Sequence, residues 1–168
     1  MHLTDVNHKM ESMIETLMKA LEKESISKFF KHNDAIKKHL KLKKHDIDEL
    51  IEESYHFCKH KEWDKCKEAL AYLIFFEPTR QIHYLRLGAL LLQLNEFENA
   101  LQIFEMASAL NPHDPRPILY AADCFLELNR LEEAKTAFLC CIELSHNKPE
   151  YNDMYDLALQ AIKDIKHL

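Results

Sequence analysis

The sequence predicts an all-α protein, a stack of helix-turn-helix hairpins with further helices at both ends. Three observations predict it. Segments of the chain superimpose at an offset of 34 residues: Trp63 on Phe97 and Leu131, Cys66 on Ala100 and Ala134, Leu70 on Phe104 and Phe138, and Leu73 on Ala107 and Cys141. A fixed period of this size marks an architecture built by stacking one supersecondary unit. The composition is that of helices, rich in Leu, Ala, Glu and Lys with a single glycine. The prolines punctuate rather than interrupt: Pro78 and Pro112 fall in register, with His146 at the third slot, and Pro115, Pro117 and Pro149 stand near other proposed boundaries.

The elements follow in order. Residues 1–45 lie outside the period and form an N-terminal helical arm. There Val6, Met10, Met13, Ile14, Leu17, Met18 and Leu21 recur at three- and four-residue spacing, an amphipathic stripe. Such a segment can pack on the first repeat or, being Met-rich and adaptable, serve as a self-association arm. Residues 46–148 hold three repeats, about 47–80, 81–114 and 115–148, with helices near 47–60, 62–76, 80–94, 96–110, 115–128 and 130–145. Asp46 with Glu49, Asn95 with Glu98 and Asn129 with Glu132 have the spacing of capping boxes, and Asp114 before Pro115 suits an N-cap followed by proline. A last helix, 149–167, carries Tyr151, Tyr155, Leu157, Leu159, Ile162 and Ile165, and residues 149–168 are placed to cap the final apolar face.

The middle copy gives the repeat its identity. Tyr84, Leu87-Gly88, Leu91, Phe97, Ala100, Phe104, Ala107 and Pro112 match the 34-residue tetratricopeptide repeat, whose three tandem copies wind into a right-handed superhelix. Gly88 and Ala100 are small, so the two helices of a hairpin approach closely. Pro112 lacks an N–H and disfavours helix at Asn111, which stops the second helix. The first helix of each hairpin lines the concave face at every third or fourth residue. By register these residues are Ile51, Tyr55 and Cys58, then Ile82, Leu85, Ala89 and Leu92, then Arg116, Leu119, Asp123 and Leu126. Most are apolar, and an apolar groove suits an extended, partly hydrophobic peptide.

Other function classes fit poorly. The five cysteines contain no CxxC, and three stand at apolar or small-residue repeat positions, so buried reduced thiols of a cytosolic protein are expected. His56 and His60 stand four apart, but two ligands do not make a structural zinc site; no metal and no cofactor are expected. The basic run 37–44 lies in a region of net +3 while the remainder carries −9, and no aromatic residue is interleaved there. Nucleic acid is therefore not an expected partner. No stretch approaches the 18 apolar residues of a membrane span, so no direct membrane insertion is expected. With one glycine there is no phosphate loop, and nothing places two carboxylates in a water-excluded pocket, so no enzyme is expected.

From about Asp46 to Leu168 the chain resembles a specific family, the class II chaperones of bacterial type III secretion (LcrH/SycD type). The resemblance rests on three repeats with no fourth, the stretch 114–128 (DPRPILYAADCFLEL), Glu132-Glu-Ala-Lys beyond it, and a closing helix after Pro149. It implies a cytoplasmic bacterial chaperone that holds hydrophobic translocator proteins soluble and secretion-competent, with an extended client segment in the groove. It also implies pocket positions at Ile51, Tyr55, Cys58 and Trp63, and dimer contacts at Tyr72 and Phe76 of a homodimer. The runner-up is a general repeat adaptor that binds another protein's peptide motif. A carboxylate clamp of that kind needs paired cations across the groove, where this chain offers Arg86 and Arg116 as isolated ones.

Overall fold

The computed structural model of the protein describes residues 43–165, so the expected N-terminal arm (1–45) lies outside the described residues except for its end, where Lys44 and His45 already belong to the first helix. Among the described residues, seven α-helices run in order: α1 (Lys44–Lys59), α2 (Trp63–Phe76), α3 (Gln81–Gln93), α4 (Phe97–Leu110), α5 (Arg116–Glu127), α6 (Leu131–Ser145) and α7 (Asn152–Ile165), the last preceded by a 3-10 turn at Pro149–Tyr151. Each helix packs on its neighbours in sequence, while α3 also reaches α5 and α5 reaches α7. First helices thus form one layer and second helices the other, the arrangement of tetratricopeptide hairpins.

Burial repeats with the sequence. The superimposed sets Cys66, Ala100, Ala134 and Leu73, Ala107, Cys141 are all fully buried, as are Leu70, Phe104 and Phe138 to within 1%. Phe104 and Phe138 are the largest of the fully buried side chains. Gly88 explains how Phe104 fits. A methyl group added at Gly88 would overlap the Phe104 ring, lying 2.7 Å from its Cζ. In the third hairpin Ala122 takes the same position, and Ala158 and Ile162 of α7 close its core together with Phe138 and Cys141. The closing helix is therefore part of the third core, as a terminal cap must be.

The turns inside the hairpins correct one expectation. Asn95 and Asn129 do not cap the helices that follow them, which have no side-chain cap. They sit instead at positive φ, 61° and 57°, and Lys61 occupies the equivalent place in the first hairpin at 59°. Around each, the same pair of backbone bonds closes the preceding helix. Asn95 N–H donates to Leu92 O and Glu96 N–H to Leu91 O; the third hairpin repeats the pair from Asn129 to Leu126 and from Arg130 to Phe125. This is the Schellman termination, which needs a left-handed residue, and asparagine tolerates that conformation better than most. Asp46 likewise stands inside α1, where it accepts from the Lys43 backbone N–H at 2.7 Å. Asp114 stands one residue ahead of the N-cap, which is Pro115, and its Oδ1 accepts from the Arg116 backbone N–H at 3.0 Å.

The thiols correct a second expectation. Cys58 and Cys66 are joined as a disulfide with Cα atoms 5.6 Å apart, while Cys124, Cys140 and Cys141 are free. Position 66 faces α1 across the hairpin, where the other repeats carry Ala100 and Ala134, so Cys58, one residue before the end of α1, comes within bonding reach. A small-residue position that faces another helix is thus also a place where two sulfurs meet.

One buried polar contact gives the fold a pH dependence. His83 is 1% exposed, its Nε2 bonds Glu77 Oε2 at 2.9 Å, and its Nδ1 is buried without a hydrogen-bond partner. Burial outweighs the Glu77 carboxylate and holds the imidazole below its usual pKa. In the unfolded chain the ring takes up its proton near pH 6.5; in the folded chain it resists until lower pH. Its contribution to stability is therefore complete above about pH 6.5 and is lost as the pH falls below that. Thermal melts at pH 7.5 and 5.5 are expected to show a smaller drop for His83→Gln than for the parent chain. Equal drops would remove His83 from the account.

Candidate functional site: the concave groove

The candidate groove face belongs to α1, α3 and α5, whose outward sides are fixed by the buried positions just described. With Ser54, Gly88 and Ala122 buried against the second helices, the residues one position later point away from them. These are Tyr55, Ala89 and Asp123, the centre of the expected lining. Tyr55 is 55% exposed and Ile82 44%, unusual values for large apolar side chains. Ala89 is exposed, and Ile51, Leu92, Arg86 and Asp123 are partly so.

Several expected lining residues have other tasks. Leu85 and Leu119 are buried at 5% and 7% and belong to the cores beneath the groove, so they form its floor. A Leu85→Asp substitution would consequently test the fold rather than the surface. The Cys58 sulfur is bonded to Cys66. Trp63 opens α2 and packs on the first-hairpin core with Leu50, Ile51 and Phe57. Arg116 is committed to Asp114, a fully buried carboxylate that takes Arg116 Nε at 2.9 Å and Nη2 at 2.6 Å. Its charge is paired with that carboxylate, although the side chain itself stays 37% exposed.

Arg86 behaves differently. Its guanidinium lies over the Tyr55 ring, 3.8 Å from the centroid, and its Nη2 donates to Ser54 Oγ at 2.8 Å. The Ser54 hydroxyl in turn donates to Ile51 O at 2.6 Å. This chain of contacts ties the first repeat to the second across the groove. Burial lowers the Arg86 pKa, with the Tyr55 hydroxyl opposing. At the other end Asp123 is raised to about 6, first by burial and then by the neighbouring Glu127 carboxylate. Sequence register had placed Arg86 in the groove but not Ser54 or Tyr120. Both were readable in principle: Ser54 replaces the small residue of the other repeats, and Tyr120 is the 34-residue equivalent of Arg86, packing 5.4 Å from the Phe104 ring.

Tyr72 and Phe76, on α2, are half-buried: the Tyr72 hydroxyl donates to Glu68 at 2.9 Å, and Phe76 stands edge-on to Phe75 at 5.3 Å. The His56 and His60 rings stack on each other at 4.0 Å. Among the described residues no group of three metal-ligating side chains is placed to hold an ion, and no helix is long and apolar enough to cross a membrane.

Comparison with known proteins gives this geometry a context. Residues 91–139 match the tetratricopeptide repeat family. The Low calcium response locus protein H of Yersinia pseudotuberculosis is 24% identical over 112 residues, 67% of this chain and 65% of that protein, just short of two thirds of its length. The fold is that of PcrH in complex with the chaperone binding region of PopD, with a TM-score of 0.70, 21% identity, and coverage of 75% of this chain and 95% of the other. A CopN–Scc3 complex contains a chain with a TM-score of 0.69 and 28% identity, covering 74% of this chain and 73% of that one. The chain thus shares the fold of PcrH, which in that structure is in complex with the chaperone binding region of another protein.

Proposed function

We propose that this chain is a class II type III secretion chaperone, which binds an extended segment of a hydrophobic translocator protein in its concave groove and keeps the client soluble until secretion. The observation that carries the reading is the row of exposed side chains Tyr55, Ile82 and Ala89 on successive groove helices, in the fold of PcrH bound to a segment of PopD. Groove contacts bury apolar client surface, and a binder selective for one state stabilises that state by mass action with no nucleotide cycle. It works as a holdase without a catalytic step, in the bacterial cytoplasm, as a homodimer with Tyr72 and Phe76 of α2 near the contact. The adaptor alternative is weakened by the Arg116–Asp114 pair, which leaves one free cation where a carboxylate clamp uses several.

The test is co-expression with translocator-like neighbours encoded beside it, followed by co-purification. Ile82→Asp and Tyr55→Ala should each lower client recovery at least tenfold while far-UV helicity is kept, because both side chains are exposed and carry little of the core. Recovery equal to that of the parent chain in both variants would rule out the groove.

A further inference from the structure

Resting on the groove reading, we propose that Arg86 is an anion anchor that takes a carboxylate of the bound segment, so the groove selects an apolar peptide carrying one acidic group. Four arginines lie among the described residues, and the other three are paired with carboxylates. Arg80 bonds Glu77, Arg116 bonds Asp114, and Arg130 meets Glu133 and Glu98. Arg86 has no carboxylate within ion-pair reach among those residues, although beyond residue 46 the chain carries 21 carboxylates against 12 Lys/Arg. Scarcity of acid does not explain the vacancy.

The guanidinium is also held rather than waving in solvent. Tyr55 covers one face at 3.8 Å and Ser54 fixes one Nη at 2.8 Å. The fork of a guanidinium offers five donors and Ser54 uses one, so an edge remains for two-point bonding to a carboxylate. Neighbours on the same face are Ile51 and Tyr55 below and Ile82 and Ala89 on α3 itself, a surface that lowers the local dielectric and strengthens such a bond. An incoming carboxylate would relieve the half-buried cation, whereas a Lys or Arg at that point of the peptide would be repelled. Charge at one position of an otherwise apolar groove gives register to a segment that could slide by two residues without it.

The test uses the full chain and two synthetic libraries of extended apolar peptides, acetylated and amidated, in which one scanned position is Glu in one library and Gln in the other. A third library has Gln throughout and a free C-terminal carboxylate. The parent chain should bind the Glu library at its best position about tenfold more tightly than the Gln library, with the gap narrowing at high salt. Arg86→Gln should abolish the gap between the Glu and Gln libraries, and Arg86→Lys should restore only part of it, since lysine keeps the charge but not the fork. Arg86-dependent preference confined to the third library would locate the same anchor on a C-terminal carboxylate. Equal binding of all libraries by the parent chain, or a preference that survives Arg86→Gln, would overturn the anchor and leave the groove standing. Failure of the folded parent chain to bind any library would count against the groove itself. Should Arg86→Gln not fold, Ser54→Ala, which frees the guanidinium from its seat, is expected to shrink the gap, and an unchanged gap would overturn the anchor.

Discussion

Phe104→Ala should lower the stability of the fold by about 3–5 kcal/mol, the range for emptying a buried aromatic site. The ring is 1% exposed, and it touches three helices: α3 through Gly88, its own helix α4, and α5 through Tyr120 at 5.4 Å. The ring sits in a closed core with Tyr84, Leu85, Leu91 and Ile103, as well as Ala100 and Ala107. In a chain of this size, each kcal/mol shifts the melting temperature by roughly 2–4 °C, so a drop on the order of 10 °C is expected by calorimetry. Gly88→Ala should be destabilising too, despite the roughly 1 kcal/mol by which alanine outranks glycine in a helix. Overlap with a ring that cannot retreat typically costs 1–3 kcal/mol and outweighs that gain. The two positions share one volume, so Gly88→Ala with Phe104→Leu should be less harmful than the sum of the single changes. Strict additivity would contradict the contact.

Reduction of the Cys58–Cys66 bond should be the next largest effect, about 2–3 kcal/mol by the chain-entropy argument for so short a loop. The bond fastens α1 to α2 in the hairpin with the fewest repeat-consensus residues, where Ser54 stands for glycine and Glu53 is exposed where the middle copy has Leu87. Melting with and without a reductant should differ by several degrees for the parent chain and not at all for Cys58→Ser. Identical curves for the parent chain would show that these sulfurs are not bonded in solution. Cys66→Ala restores the residue type of the other two repeats and should separate loss of the crosslink from loss of packing.

The helices were legible from sequence to within about three residues at each end, because each repeat buries its apolar positions against its immediate neighbours. Such burial leaves a periodic trace, and Leu70, Phe104 and Phe138 are one example. The candidate groove was legible only in outline. Register correctly put Tyr55, Ile82 and Ala89 on an exposed face, yet it treated Leu85 and Leu119 as equivalent to them. These two side chains turn into the cores between hairpins, and a rotation of a few tens of degrees separates floor from rim. Asn95 and Asn129 show the limit of local motifs. Asparagine serves helix starts and left-handed turns alike, and only the backbone of the preceding helix decides between them.

Taken alone, the order of the residues determined the period, the number of hairpins, the small residues at their crossings and the need for a closing helix. All of these follow from which side chains can leave water at spacings repeated along one chain. The folded molecule decided which charges and sulfurs are spoken for: Arg116 by Asp114, Cys58 by Cys66, and Arg86 by a ring and a hydroxyl but by no acid among the described residues. Pairing of that kind depends on side-chain positions to within about an ångström, some between different helices, since hydrogen bonds and ion pairs fail beyond a narrow distance. A pattern of hydrophobicity carries no such distances.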